Sequence, residues 1–140
     1  MVTDYWFRCA SEVFLRNSGP TSRLFAYRFD HLYSNASIFP TFGLPAICAT
    51  VVCHASELPF VFHNVPSFAS FTPAEDVLAD AMATAWTNFA KNGDPNGPGA
   101  PAWPAWTLAE RSTLVWNETV AVEDTRGLCG VWDSIGGYFA

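Results

Sequence analysis

Strand content constrains this chain more than any other feature, because only one stretch reads as a long strand. Residues 24–29, LFAYRF, alternate with β-type side chains. STLVW and TVAVE read as two shorter strands, a hairpin around Asn117–Glu118. One long strand does not make a sheet. The predicted order is helix, strand, long loop, helix, hairpin, helix, which reads as the end of an α/β protein whose central strands lie elsewhere.

The other elements follow from periodicity and caps. Residues 3–17 read as a helix that Thr3 or Asp4 caps, with apolar side chains at Trp6, Phe7, Ala10, Val13 and Phe14, stopped by NSGP. The connection from Asp30 to about Ser56 is a 26-residue loop, a length that inside a compact domain points to function. The best helix spans 73–92. Thr72 caps it, Pro73 takes the first helical position and Glu75 completes a capping box. Leu78, Met82, Ala85, Trp86 and Phe89 make one apolar stripe, and Gly93 ends the helix. A proline-rich loop, GDPNGPGAPAWPAW, follows, and residues 126–139 read as a last apolar helix or turn. There is no internal repeat.

At 140 residues the chain reads as a single domain. Half of it is hydrophobic and only 14% is charged, against about 25% in ordinary domains. A domain of this size buries only about two-thirds of its unfolded surface, so some of the six Trp and twelve Phe want a partner surface. The net charge of −6 argues against nucleic acid as a partner. No apolar run approaches the roughly 18 residues of a membrane span. MVTDYWFRCASEVF lacks the basic and apolar regions of a signal peptide. Four cysteines, at positions 9, 48, 53 and 129, permit three pairings without choosing among them. Two N-x-S/T sequons stand at Asn35 and Asn117, candidate glycosylation sites in a secreted protein. Cysteines and sequons lean toward an oxidising compartment, while no export signal accompanies them.

VVCHASELPFVF, residues 51–62, is the candidate site. Its histidine, His54, has three readings. It is a buried or half-buried loop residue, or a metal ligand with Cys48, Cys53 and Glu57, or a catalytic base. The metal reading lacks the second ligand pair of a structural zinc site. The base reading fits α/β-hydrolases, whose triad runs Ser, then Asp or Glu, then His, with the histidine on a long loop after a late strand.

Several segments in order resemble the C-terminal part of a type B carboxylesterase, the α/β-hydrolase family that includes the cholinesterases. TDYWFRC resembles the helix start carrying a cysteine, and AYRFDH the strand ending in His. CHASELPFVF resembles the catalytic-histidine segment, H-x-x-E or H-x-x-D before an aromatic-Val-Phe run. AWTNFAKNGDPN, WPAW and LCGVWDSI resemble the helix end, the W-P motif and the C-terminal cysteine segment that follow. The resemblance implies an α/β fold comprising a late sheet strand, the catalytic-His loop, a long helix, a small hairpin and a C-terminal helix, with residues 1–140 as one partial domain. It implies that His54 is the general base and that Glu57 supports it by hydrogen bonding near the base, the alternative for Glu57 being a purely structural salt bridge. It pairs Cys9 with Cys129, which leaves Cys48 for Cys53. His31 is then structural and His63 carries no role. No metal and no cofactor are implied.

The family's nucleophile sits in G-x-S-x-G, and NSGPTS, CHAS and WDSIGGY are the nearest approaches here. The Gly-rich oxyanion loop is absent too, and of the carboxylates before His54, namely Asp4, Glu12 and Asp30, none sits where the resemblance puts the triad acid. The chain thus reads as a fragment carrying one triad member. Its expected role is the C-terminal region of a secreted or extracellular serine hydrolase of small carboxylic esters, inactive without its N-terminal part. The alternatives are a non-catalytic esterase-like binding module, or a half-enzyme that complements a separate N-terminal chain.

Overall fold

The computed structural model of the chain describes residues 3–19 and 23–134. A widened helical turn, Asp4–Arg8, runs into α1, Cys9–Asn17. Next come β1, Ala26–Phe29, two 3-10 segments at Ala36–Phe42 and Ala46–Ala49, and the short α2, Leu58–Val61. The long helix α3, Pro73–Asn92, precedes β2, Ser112–Trp116, β3, Ala121–Asp124, and α4, Gly130–Ser134. The strands form one sheet in the order β1-β2-β3. Residues 117–120 link β2 to β3 as a hairpin, a connection short enough only for antiparallel neighbours.

α3 forms where its caps and apolar spacing dictate. The Thr72 hydroxyl accepts from the Glu75 backbone N–H at 3.2 Å, and the Glu75 carboxylate accepts from the Thr72 N–H at 2.8 Å. Gly93 stops the helix in the left-handed region, φ +67°, with its N–H on the Phe89 carbonyl. Leu78, Met82 and Ala85 are buried, whereas Phe89 is 47% exposed, so the buried stripe is shorter than its sequence pattern suggests.

Four expectations are corrected. Thr3 has helical dihedrals and no side-chain cap bond; Asp4 lies inside the first turn, 3.7 Å from Arg8. The widened turn, not a polar cap, starts this helix. β1 is shorter than LFAYRF, because Leu24 pairs antiparallel with Trp106 as an isolated bridge before the strand proper begins. The connection after Asp30 is not structureless, since the two 3-10 segments fill much of it. The last helix starts only at Gly130, after Gly127 turns the chain at φ +80°. Residues 135–139 of that expected helix lie outside the described residues.

The chain divides into two compact units. Met1–Ala26, Pro104–Thr113 and Val122–Ala140 make one. Within it a disulfide joins Cys9 to Cys129, and the buried Glu12 carboxylate receives Arg16 and Arg111, each at 2.6 Å. Arg16 also reaches Asp133 at 3.0 Å, so α1 is tied to α4 by an ion pair and to the residue just before α4 by the disulfide. Tyr27–Trp103 and Leu114–Ala121 make the other unit. Its core holds two aromatic clusters. Phe60, fully buried, meets Phe29, His31, Tyr33 and Phe71 with ring centroids 4.8–5.7 Å away. Trp86, Trp103 and Trp116 meet pairwise at 5.3–5.8 Å. α2 packs on α3 beside the first cluster.

Candidate functional site

His54 sits on a tight turn, Cys53 to Ser56, in the second unit. The Ser56 N–H donates to the Cys53 carbonyl at 3.1 Å, and the Cys53 N–H donates to the buried Ser56 hydroxyl at 3.0 Å. Between them Ala55 takes φ +74°, a left-handed conformation that costs an ordinary residue about 1 kcal/mol. The backbone is anchored on both flanks. Cys53 is disulfide-bonded to Cys48, and α2 follows at once with Phe60 in the core. The His54 side chain itself is exposed. An imidazole can accept or donate a proton near neutral pH, and the turn that carries this one is fixed at both flanks.

The disulfide commits both local thiols, which removes the soft ligands that a metal at His54 would need. Among the described residues, no group of three or more His, Cys, Asp or Glu is placed to hold a metal ion. Glu57 is half-buried and precedes α2, where its carbonyl accepts from the Phe60 and Val61 N–H groups at 3.0 Å each. Burial raises the Tyr27 hydroxyl above its ordinary value, and the charge of Glu57 raises it further.

The polar centre of this unit is Glu75. Its carboxylate accepts from His31 Nε2 at 3.0 Å, the Ser34 N–H at 2.6 Å, the Ser34 hydroxyl at 2.7 Å and the Thr72 N–H at 2.8 Å. Its side chain is 1% exposed. Burial alone would push this carboxyl up, but the hydrogen bonds from His31, Thr72 and Ser34 outweigh it and hold the group down at about 2. The other His31 nitrogen, Nδ1, lies 3.3 Å from Asn117 Oδ1. Asn117 is oriented by its own bonds, Nδ2 donating to the Asp30 carbonyl at 3.0 Å and Oδ1 accepting from the Glu118 N–H at 2.8 Å. The other sequon asparagine, Asn35, donates Nδ2 to the Ser70 carbonyl at 2.8 Å. His63, at φ +43°, lies 3.0 Å from Asp80 and 3.5 Å from Asp76 on α3. The sequence shows Glu75 as half of a capping box. Its partnership with His31 and Ser34 depends on the fold, and the histidine closing β1 was the available signal.

A fold of this kind, with a histidine turn after a strand and a long capped helix behind it, is that of the α/β-hydrolase esterases. Residues 1–128 match the sequence profile of the carboxylesterase family, and the chain belongs to that family. It is similar to the human cocaine esterase, 43% identical over 60 residues that cover 41% of this chain and 11% of that protein. It is also similar to the acetylcholinesterase of Bungarus fasciatus, 31% identical over 119 residues that cover 80% of this chain and 18% of that protein. Among solved structures, a PNB esterase superposes with a TM-score of 0.72 at 26% identity, covering 100% of this chain and 27% of the other. A carboxylesterase of Geobacillus stearothermophilus superposes with a TM-score of 0.56 at 36% identity, covering 80% of this chain and 21% of the other. The chain thus spans less than a fifth of the length of these two curated relatives. Among the described residues, no helix is long and apolar enough to cross a membrane.

Proposed function

We propose that this chain is the C-terminal part of a carboxylesterase domain and supplies its triad histidine, His54. The observation that carries the reading is an exposed imidazole on a turn fixed at both flanks, within the H-x-x-E segment of a carboxylesterase-family chain. In the complete enzyme, His54 takes the proton of the nucleophilic serine as its oxygen attacks the carbonyl carbon of a small carboxylic ester. It then gives that proton to the departing alcohol. In the second half-reaction it activates the water that releases the acid and regenerates the serine. Glu57 supports the turn from the start of α2.

The serine, the triad acid and the oxyanion donors are supplied by the rest of the hydrolase fold, because these 140 residues contain no G-x-S-x-G. The same partner covers the apolar side chains this unit exposes, such as Phe42, Phe62 and Phe68, at 56–71% exposure. Two disulfides and two sequons fit a secreted enzyme. The chain alone has no esterase activity. The test is turnover of a 4-nitrophenyl ester by the purified chain. Background rates support the reading; phosphonate-sensitive turnover that disappears in His54→Ala overturns it.

A further inference from the structure

The excursion that carries His54 leaves β1 and returns to α3 through one narrow neck. On the outgoing side are His31, Tyr33, Ser34 and Asn35; on the returning side are Ser70, Thr72 and Glu75. The Glu75 carboxylate alone binds His31 and Ser34 on one side and Thr72 on the other. A second bridge lies beside it, since the Tyr33 hydroxyl and the Asn35 amide both donate to the Ser70 carbonyl, at 3.0 and 2.8 Å. Every group on the Glu75 carboxylate donates to it or can do so, and none is long. Charge-assisted bonds to a buried carboxylate are about twice as strong as neutral ones.

We propose that Glu75 is a positioning residue for His54: it clasps the two ends of the 36–69 excursion, so that the turn bearing the base is held in one arrangement. The proposal rests on the reading of His54 as the base, and it adds a device that reaches the base through the backbone. A helix cap alone would need only Thr72. The bonds to His31 and Ser34 serve closure of the excursion instead, and closing so long a segment has an entropic cost that these bonds offset. Inside the excursion, the Cys48–Cys53 disulfide and the buried Phe60 carry the restraint onward to the turn.

The test separates local opening from global stability. Amide hydrogen exchange is followed in the 140-residue chain and in Glu75→Gln, whose amide NH₂ would face donors in place of an acceptor. Denaturant unfolding of both gives the global term. The expected result is exchange about 10- to 100-fold faster across residues 46–56, beyond any global loss, with the second half of α3 following the global term only. In addition, the His54 ring gives a single set of NMR signals in the wild type and several or broadened sets in the variant. If Glu75→Gln does not fold, Ser34→Ala, which removes one donor and keeps the cap, is read in the same way with a smaller shift in the same direction. Exchange in 46–56 that moves only with global stability, with an unchanged His54 signal, overturns the clasp. Neither readout depends on ester chemistry, so a failed clasp is distinguishable from a failed assignment of His54.

Discussion

The Nε2 atom of His31 lies 3.0 Å from Oε1 of Glu75, in a site where the Glu75 side chain is 1% exposed. This pair joins the end of β1 to the first turn of α3, and it makes stability depend on acid. The folded Glu75 carboxyl is held at about 2, below its ordinary 4.5. A depressed carboxyl stabilises the fold fully above the unfolded value, and the contribution is lost as pH falls from about 4.5 through about 2. The full effect is about 3 kcal/mol. Denaturant unfolding between pH 6 and 2 checks it, with Glu75→Gln showing a flatter profile over the same range.

The two disulfides should differ in worth. Cys9–Cys129 spans a sequence separation of 120, and Cys48–Cys53 a separation of 5. In the chain-entropy model the first stabilises by about 4–5 kcal/mol and the second by about 2 kcal/mol. Paired Cys→Ser variants, compared by unfolding midpoint, should keep that order.

Ala55 occupies a left-handed conformation beside the candidate base, at φ +74°. Glycine relieves the steric cost there while adding freedom to the unfolded chain, so Ala55→Gly should be neutral or stabilising by up to about 1 kcal/mol. The same change at Ala85, buried inside α3, should destabilise by about 1 kcal/mol or more. Thermal unfolding of the two variants makes the comparison.

The exposed rings of Phe42 and Phe68 stack with an interplanar angle of 9°, at 56% and 70% exposure. Left uncovered, such a surface associates with itself. The isolated chain should form concentration-dependent oligomers in light scattering, and Phe42→Ser with Phe68→Ser should reduce them.

What the sequence made legible was local. The Thr72–Glu75 capping box, Pro73 and Gly93 bound α3 as the pattern suggests, because caps act within one turn. The hairpin was legible as two short runs of strand-type residues flanking Asn117–Glu118, although β3 starts at Ala121, later than TVAVE suggests. Less legible was anything set by contacts far apart in the chain. The Glu75 carboxylate meets Ser34 across 41 positions, and no spacing rule reveals such a bond. The first helix misled for a related reason. Asp4 looks like a cap in sequence, yet the widened turn draws it inside the helix, near Arg8. At the site, spacing alone left His54 with three roles. Family resemblance pointed to one of them, and the Cys48–Cys53 bond supplies the chemical argument against metal binding.

The most direct measurement joins this chain to the N-terminal portion of a carboxylesterase that carries the G-x-S-x-G serine, and assays 4-nitrophenyl ester hydrolysis with and without His54→Ala. The expected result is a phosphonate-sensitive enzyme whose kcat falls by about four orders of magnitude or more in the variant, while the chain alone stays at background. An active assembly indifferent to His54→Ala would contradict the account.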